Sequence, residues 1–223
     1  MKIVAISDLH GQFPKIPIKK FDILCICGDI FPLEIQDNTL ECKAWLLKVF
    51  IPWCQKLECN NILLIAGNHD LFFEKSTYEE KKYMFLGTNI HYLENDSYEI
   101  DGLTFYGTPY CHKFNDWAFM RSDDHLKIIY DLIPKNVDIL LTHDAPYGTS
   151  DICLQEIWWN EREHIGCVPL RDAILEKKPK IVLHGHLHST NHDVELMGDT
   201  KVYNVSVLND SYNLEYPPLT LNL

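Results

Sequence analysis

Near its start the chain reads Lys2-Ile3-Val4-Ala5-Ile6-Ser7-Asp8-Leu9-His10-Gly11, an unbroken apolar run that stops at a carboxylate and an imidazole. A run apolar at every position, without polar alternation, suits a strand buried on both faces, as in parallel sheets covered by helices. The same pattern returns four times. Asp22–Cys27 is followed by Gly28-Asp29, and Asn61–Ala66 by Gly67-Asn68-His69-Asp70. Val137–Leu141 runs into Thr142-His143-Asp144, and Ile181–Leu183 into His184-Gly185-His186-Leu187-His188. In open α/β sheets the carboxyl ends of the strands line one crevice, and ligands bind there. The repetition therefore predicts that the polar groups following these five strands meet in space, although 180 residues separate Asp8 from His188.

The segments between these strands predict an α/β fold of two packed mixed sheets with helices outside. A helix is expected from about Thr39 to Glu58, with Leu40, Ala44, Leu47, Ile51 and Cys54 on its inner face. Asn38 and Glu41 suit its N-terminal cap, and Pro52 should kink or divide it. A polar helix is expected from Asp70 to about Phe85. Asp101-Gly102 should turn a hairpin between two short strands. Further helices are expected from Ser122 to Leu132 and over Val168–Lys178. No repeat and no Gly/Ser-rich linker divides the 223 residues, so residues 1–223 read as one domain.

Composition excludes several classes. Lys and Arg number 20 against 32 Asp and Glu, a formal charge of −12, which disfavours non-specific nucleic-acid binding and anionic membranes. Eight cysteines without Cys-x-x-Cys spacing support neither a thiolate zinc site nor a disulfide scaffold. The first apolar run is too short for a signal peptide, and no run could span a bilayer. A soluble, cytoplasmic protein is expected, and the Asn-x-Ser sites at Asn95, Asn204 and Asn209 read as chance matches. Carboxylate, imidazole and amide oxygen together suit Mn, Fe, Zn or Ni better than Ca or Mg. There are too many such groups for one tetrahedral ion and about enough for two, which a carboxylate such as Asp29 could bridge at ~3.5–4 Å.

Asp8-x-His10, Gly28-Asp29, Gly67-Asn68-His69-Asp70, His143 and Gly185-His186-x-His188 together resemble the signature of the calcineurin-like metallophosphoesterase superfamily, over residues 3 to 188. The resemblance implies a four-layer αββα sandwich with a dinuclear site at its edge. By motif, Asp8, His10 and His188 would hold one metal and Asn68, His143 and His186 the other, with Asp29 between them. A hydroxide shared by the two ions would attack phosphorus. His69 would assist the leaving oxygen, and Asp70 would orient His69. One position departs from the pattern: many members carry a second Asp three residues after the bridging one, and here that place holds Pro32. A different orientation of His69 is then expected.

Tyr106-Gly107-Thr108-Pro109, Phe114-Asn115-Asp116-Trp117-Ala118-Phe119, Thr142–Gly148, Gly166-Cys167 and the ending around Tyr203-Asn204 resemble the narrower MPPED-like branch. That branch implies small phosphodiesterase-like enzymes, some acting weakly on cyclic nucleotides. Some animal members lose the His of the Gly-His pair, whereas this chain keeps His186. His112, in a Pro- and aromatic-rich loop, together with Asn115 and Arg121, is a candidate for substrate contact. Trp158-Trp159-Asn160 reads as loop packing or a base-stacking lid, and Arg162 and Arg171 as further phosphate contacts. His184 should play a supporting or solvent-facing role. The alternatives are a scaffold on the same fold, which the retained His69 argues against, and a nuclease of the same superfamily, which the charge argues against. Small phosphoesters are the expected partners, with two divalent ions, manganese first, as cofactors.

Overall fold

Alternate residues of the central strands enter different cores in the computed structural model, which describes residues 1–152 and 164–223. The first half lays down β1 (Lys2–Ile6), β2 (Lys20–Cys27), β3 (Glu58–Ile65) and β4 (Ile90–Tyr92), all parallel. The C-terminal β13 (Leu219–Asn222) joins β1 antiparallel, completing a five-stranded sheet in the order β13-β1-β2-β3-β4. The second sheet has six strands in the order β11-β12-β10-β9-β6-β5. It contains β5 (Asp96–Ile100), β6 (Leu103–Thr108), β9 (Ile139–Thr142), β10 (Ile181–His184), β11 (Glu195–Met197) and β12 (Thr200–Asn204). A short parallel pair, β7 (Cys111–His112) and β8 (Met120–Arg121), lies between β6 and β9 in sequence.

Ile3 and Ala5 of β1, Cys25 of β2 and Leu63 of β3 face Phe105, Leu141 and Leu183 of the other sheet, forming the core between the sheets. The intervening residues Val4, Ile6, Leu24 and Leu64 face outward and are covered by α1 (Thr39–Trp45), α2 (Ile51–Cys54), α3 (Leu71–Lys75) and α4 (Tyr78–Met84). On the far side, Tyr106, Leu140, Val182 and Val202 are covered by α5 (Asp123–Asp131) and α6 (Val168–Lys177). Three cores between four layers explain why β1, β2, β9 and β10 are apolar at successive positions: both faces are buried. The two-sheet αββα arrangement is the one expected. The Asp101-Gly102 hairpin also forms, both residues at positive φ (49° and 79°) between the paired Ile100 and Leu103.

The first helical region departs from its expected face. It consists of α1, a π turn over Leu46–Phe50, and α2, and it ends at Cys54, with β3 starting at Glu58. Pro52 has no N–H to donate, and its ring would crowd the Lys48 carbonyl of a regular helix. The wider turn before it closes with Ile51 N–H on the Leu46 carbonyl. Cys42, Leu46, Phe50, Ile51 and Cys54 are buried, while Leu40 is 78% and Leu47 49% exposed. Two apolar stripes of helical spacing compete here. The stripe carrying the aromatic residues wins, because Trp45 and Trp53 pack on Phe13 at ring distances of 6.1 and 4.5 Å, and Trp45 on Phe31 at 5.6 Å. The helical region after Asp70 is also divided, at Ser76-Thr77, where Thr77 and Glu80 form a capping box that starts α4.

Truncation should separate the two stripes. Phe50→Ala should cost about 3–5 kcal/mol of unfolding free energy in urea denaturation, whereas Leu47→Ala should stay within about 0.5 kcal/mol. A larger loss at Leu47 than at Phe50 would contradict the observed helix face.

Candidate metal centre

The loops after β1 and β2 run side by side beyond the sheet edge. Asp8 N–H bonds the Gly28 carbonyl at 3.1 Å, His10 N–H the Asp29 carbonyl at 3.0 Å, and Gly11 N–H the Ile30 carbonyl at 3.0 Å. Asp8, His10, Asp29 and His186 all adopt positive φ, at 56°, 40°, 54° and 70°. Side-chain-bearing residues in this region carry strain of order 1–3 kcal/mol each, and such strain concentrates at functional sites. The reward is convergence: side chains that would alternate along a strand are all turned toward one point. The glycines make room. A Cβ on Gly67 would collide with Asp29 Oδ1 and the His143 ring, and one on Gly185 with Ser7 Oγ and Asp8 Oδ2.

Asp8, His10 and His188 present ligand atoms within 4.8 Å of one another, and so do Asp8, Asp29 and His143. Asp29 Oδ2 stands 3.6 Å from His10 Nε2 and 3.2 Å from His143 Nε2, between the two groups. Asn68 Oδ1 lies 2.9 Å from His143 Nε2. His186 adjoins rather than enters these sets, with its ring 5.2 Å from that of His143 and its N–H on both Asp8 oxygens at 3.1 Å. Backbone carbonyls orient two of the imidazoles: His143 Nδ1 donates to Cys27 at 2.7 Å and His188 Nδ1 to Asn209 at 3.1 Å. In each case Nε2 is left for the cluster, the arrangement typical of ligating histidines.

The electrostatics suit cations. Burial works to raise Asp8 and Asp29, but the surrounding histidines hold both carboxyls well below their usual range. Burial pulls His10 and His186 down to about 4, leaving them neutral. Burial also opposes protonation of His143, yet the Asp29 charge and hydrogen bond push it up to about 10. Both ring nitrogens of His10 and Nδ2 of Asn68 are buried with no hydrogen-bond partner among the described residues. Ionised carboxylates, neutral imidazoles and orphaned polar atoms are what divalent ions with N and O preference require, so the residues fit such ions. Metal binding would displace the proton His143 holds.

His69 and Asp70 are placed differently from each other. The His69 ring lies 5.1 Å from the His10 ring and 4.7 Å from Trp117 at the rim. Asp70, fully buried, does not orient it. The Asp70 carboxylate accepts from the N–H groups of Asp29 (2.8 Å), Ile30 (2.9 Å), Phe31 (3.3 Å) and Gly67 (2.8 Å), clamping the β2 and β3 loops together. Burial and the nearby Asp29 charge push its carboxyl up to about 7 against those amide donors. The His69 Nδ1 instead donates to Gln36 Oε1 at 2.6 Å. Nothing in the sequence around Gln36 signals this beyond the missing Asp at position 32.

Of the suggested substrate contacts, His112 sits at the rim. Its Nδ1 bonds Asp144 Oδ2 at 2.8 Å, and its ring is 5.5 Å from Phe114, itself 5.5 Å from His186. Asn115 is exposed in the same loop. Arg121 is 3.0 Å from Glu74 and lies over the Tyr110 ring, so its charge is committed there. Arg171 pairs with Asp172. His184 is buried rather than solvent-facing, and burial pulls it down to about 4. Tyr212, unremarked in the sequence, packs its ring edgewise on His10 at 4.9 Å and against His188 at 5.2 Å. Trp158, Trp159, Asn160 and Arg162 lie outside the described residues.

Gly67→Ala should weaken manganese binding by at least about 10-fold in calorimetric titration, because its new methyl group displaces Asp29 and His143. Gly87→Ala, where a Cβ meets nothing within 4 Å, should leave binding unchanged. Equal affinities in the two variants would mean that cations bind elsewhere.

Comparison with known proteins agrees with this geometry. The chain is 27% identical to human metallophosphoesterase domain-containing protein 1, over all of this chain and 71% of that protein. It is 30% identical to a UPF0046 protein of Caenorhabditis elegans, over all of this chain and 81% of the other. The crystal structure of phosphopantetheinyl hydrolase from Mycobacterium tuberculosis shares the fold, with a TM-score of 0.57 at 13% identity, covering 95% of this chain and 90% of that one. The family model for calcineurin-like phosphoesterases matches residues 1–190. With this cluster of candidate metal ligands in the place those motifs mark, the chain belongs to the calcineurin-like phosphoesterase family, as a metal-dependent phosphoesterase.

Proposed function

We propose that the protein hydrolyses small phosphodiesters at a pair of divalent ions, manganese foremost, with iron, zinc or nickel as alternatives. The observation that carries this reading is the position of Asp29, whose Oδ2 faces His10 on one side and His143 on the other. Asp8, His10 and His188 would hold one ion, and Asn68, His143 and His186 the second. When bound, the ions supply Lewis acidity toward the phosphate oxygens and toward a water nucleophile. The chain's own residues do the rest. The His69 ring stands beside the cluster and would donate a proton to the departing oxygen. Trp117 covers one face of that ring.

Two features support a small, singly charged substrate. A cavity of about 120 Å³ opens beside His69, walled by Gln36, Asp37, Asn68, Asp116 and Trp117, with room for a modest leaving group. Among the described residues no Lys or Arg pairs with Asp8, Asp29 or Asp70. A monoester dianion would find few fixed positive charges beyond the ions, whereas a diester monoanion needs fewer. The −12 charge disfavours non-specific nucleic-acid binding. The described cysteines are all unpaired, which supports a cytoplasmic location, and no helix among the described residues is long and apolar enough to cross a membrane.

Bis(p-nitrophenyl) phosphate should be hydrolysed with Mn²⁺, and chelator should abolish turnover. Asn68→Ala or His143→Ala should cost at least about 100-fold, the upper range for disturbing a metal's immediate surroundings. His69→Ala should lower kcat while bound metal is retained. The loss should be greater for an alkyl ester than for the p-nitrophenyl ester, up to about 100-fold, because a poorer leaving group needs more proton assistance. A protein inert toward mono- and diesters with every ion tested would favour a scaffold instead.

A further inference from the structure

Pro32 occupies the position where many family members carry an Asp, and Asp70 is occupied by four backbone amides, so neither fixes the proposed acid. The side chain that reaches His69 is Gln36, four residues beyond Pro32, with Oε1 at 2.6 Å from Nδ1. Its backbone is held on both sides. Ile35 N–H bonds the Pro32 carbonyl at 3.2 Å, and Asn38 N–H the Ile35 carbonyl at 2.8 Å. The buried Cys42 thiol of α1 reaches the Ile35 and Gln36 carbonyls, at 3.2 and 3.7 Å. Trp117 and His10 pack on the His69 ring and limit its plane. They do not choose which edge faces the cluster; a hydrogen bond to one nitrogen does.

We propose that Gln36 is the positioning residue of His69. It holds the proton on Nδ1 and turns Nε2 toward the leaving oxygen. This rests on the acid role assigned to His69 above. The proton balance is consistent. An imidazolium that gives its Nε2 proton to the leaving oxygen is left neutral with its remaining proton on Nδ1, and that tautomer is the one Gln36 Oε1 accepts from.

The test is long-range proton–nitrogen NMR of the His69 ring in the full chain, with and without diamagnetic zinc, in the wild type, Gln36→Met and Gln36→Glu. The His69 signals are assigned by their loss in His69→Ala. Manganese-dependent turnover and manganese content are measured alongside. The wild type should show the Nδ1–H tautomer alone. Gln36→Met keeps the length and removes the acceptor. It should lose the single-tautomer signature and about 10- to 100-fold in kcat, with KM and manganese content within about twofold. Gln36→Glu keeps an acceptor oxygen at the same reach and should restore both the signature and most of kcat. An Nε2–H tautomer in the wild type, or an unchanged tautomer and kcat in Gln36→Met, overturns the assignment. A wild type that turns over no ester but shows the Gln36-dependent tautomer ends the hydrolase reading while upholding the contact that orients the ring.

Discussion

Asp8 and Asp29 are carboxylates buried to within 2% of full enclosure, and among the described residues they face imidazoles and the backbone N–H groups of His186 and His69, never Lys or Arg. Removing such charges from water is costly unless they are compensated at close range. The compensation here is weak and reversible: His143 and His188 carry it as protons shared with the carboxylates. Both aspartates also sit in left-handed backbone that their side chains disfavour. Burial and strain at the same two residues, with their charge balanced only by exchangeable imidazole protons, suit a site that a divalent cation would complete. The rest of the fold supplies the force that holds the unfavourable arrangement. Three apolar cores fix the strands, and the strands end at a common edge.

Asp70 shows how that force is transmitted. Its carboxylate collects N–H groups from the turn after β2 and from Gly67 after β3. These amides would otherwise be unsatisfied beyond the ends of their strands, and a buried orphan donor costs about 1–3 kcal/mol. One side chain thus fastens two ligand-bearing loops to each other, so Asp29 and Asn68 move as a unit.

The layers, and the gathering of polar groups at the strand ends, were legible in the sequence because both follow from local pattern. Val4 and Ile6 go to one core, Ile3 and Ala5 to another, and the apolar runs end where the ligands begin. What was not legible depended on choices between equal patterns or on long-range contacts. Leu40 and Leu47 match helical spacing as well as Cys42, Leu46 and Phe50 do, and only the packing of Trp45 and Trp53 on Phe13 decides between them. Asp70 follows His69 directly, which suggests partnership, but adjacent residues on a turn project in different directions. Its partners are backbone amides some forty residues earlier, which no side-chain motif advertises. Gln36 lies in a loop without periodicity, and only folding brings it to His69.

The orienting partners of the histidines separate two kinds of constraint. His143 and His188 are turned by the carbonyls of Cys27 and Asn209. A carbonyl is present whatever the side chain, so their orientation is written into the backbone and survives substitution at those positions. His69 is turned by the side chain of Gln36, and its other neighbours, His10 and Trp117 with the exposed Phe114 beyond it, are side chains as well. Substitution at Gln36 or Trp117 can therefore change how His69 is held without touching the carbonyls that turn His143 and His188. The cup is thus set by main-chain groups, whereas the rim beside His69 is built of side chains.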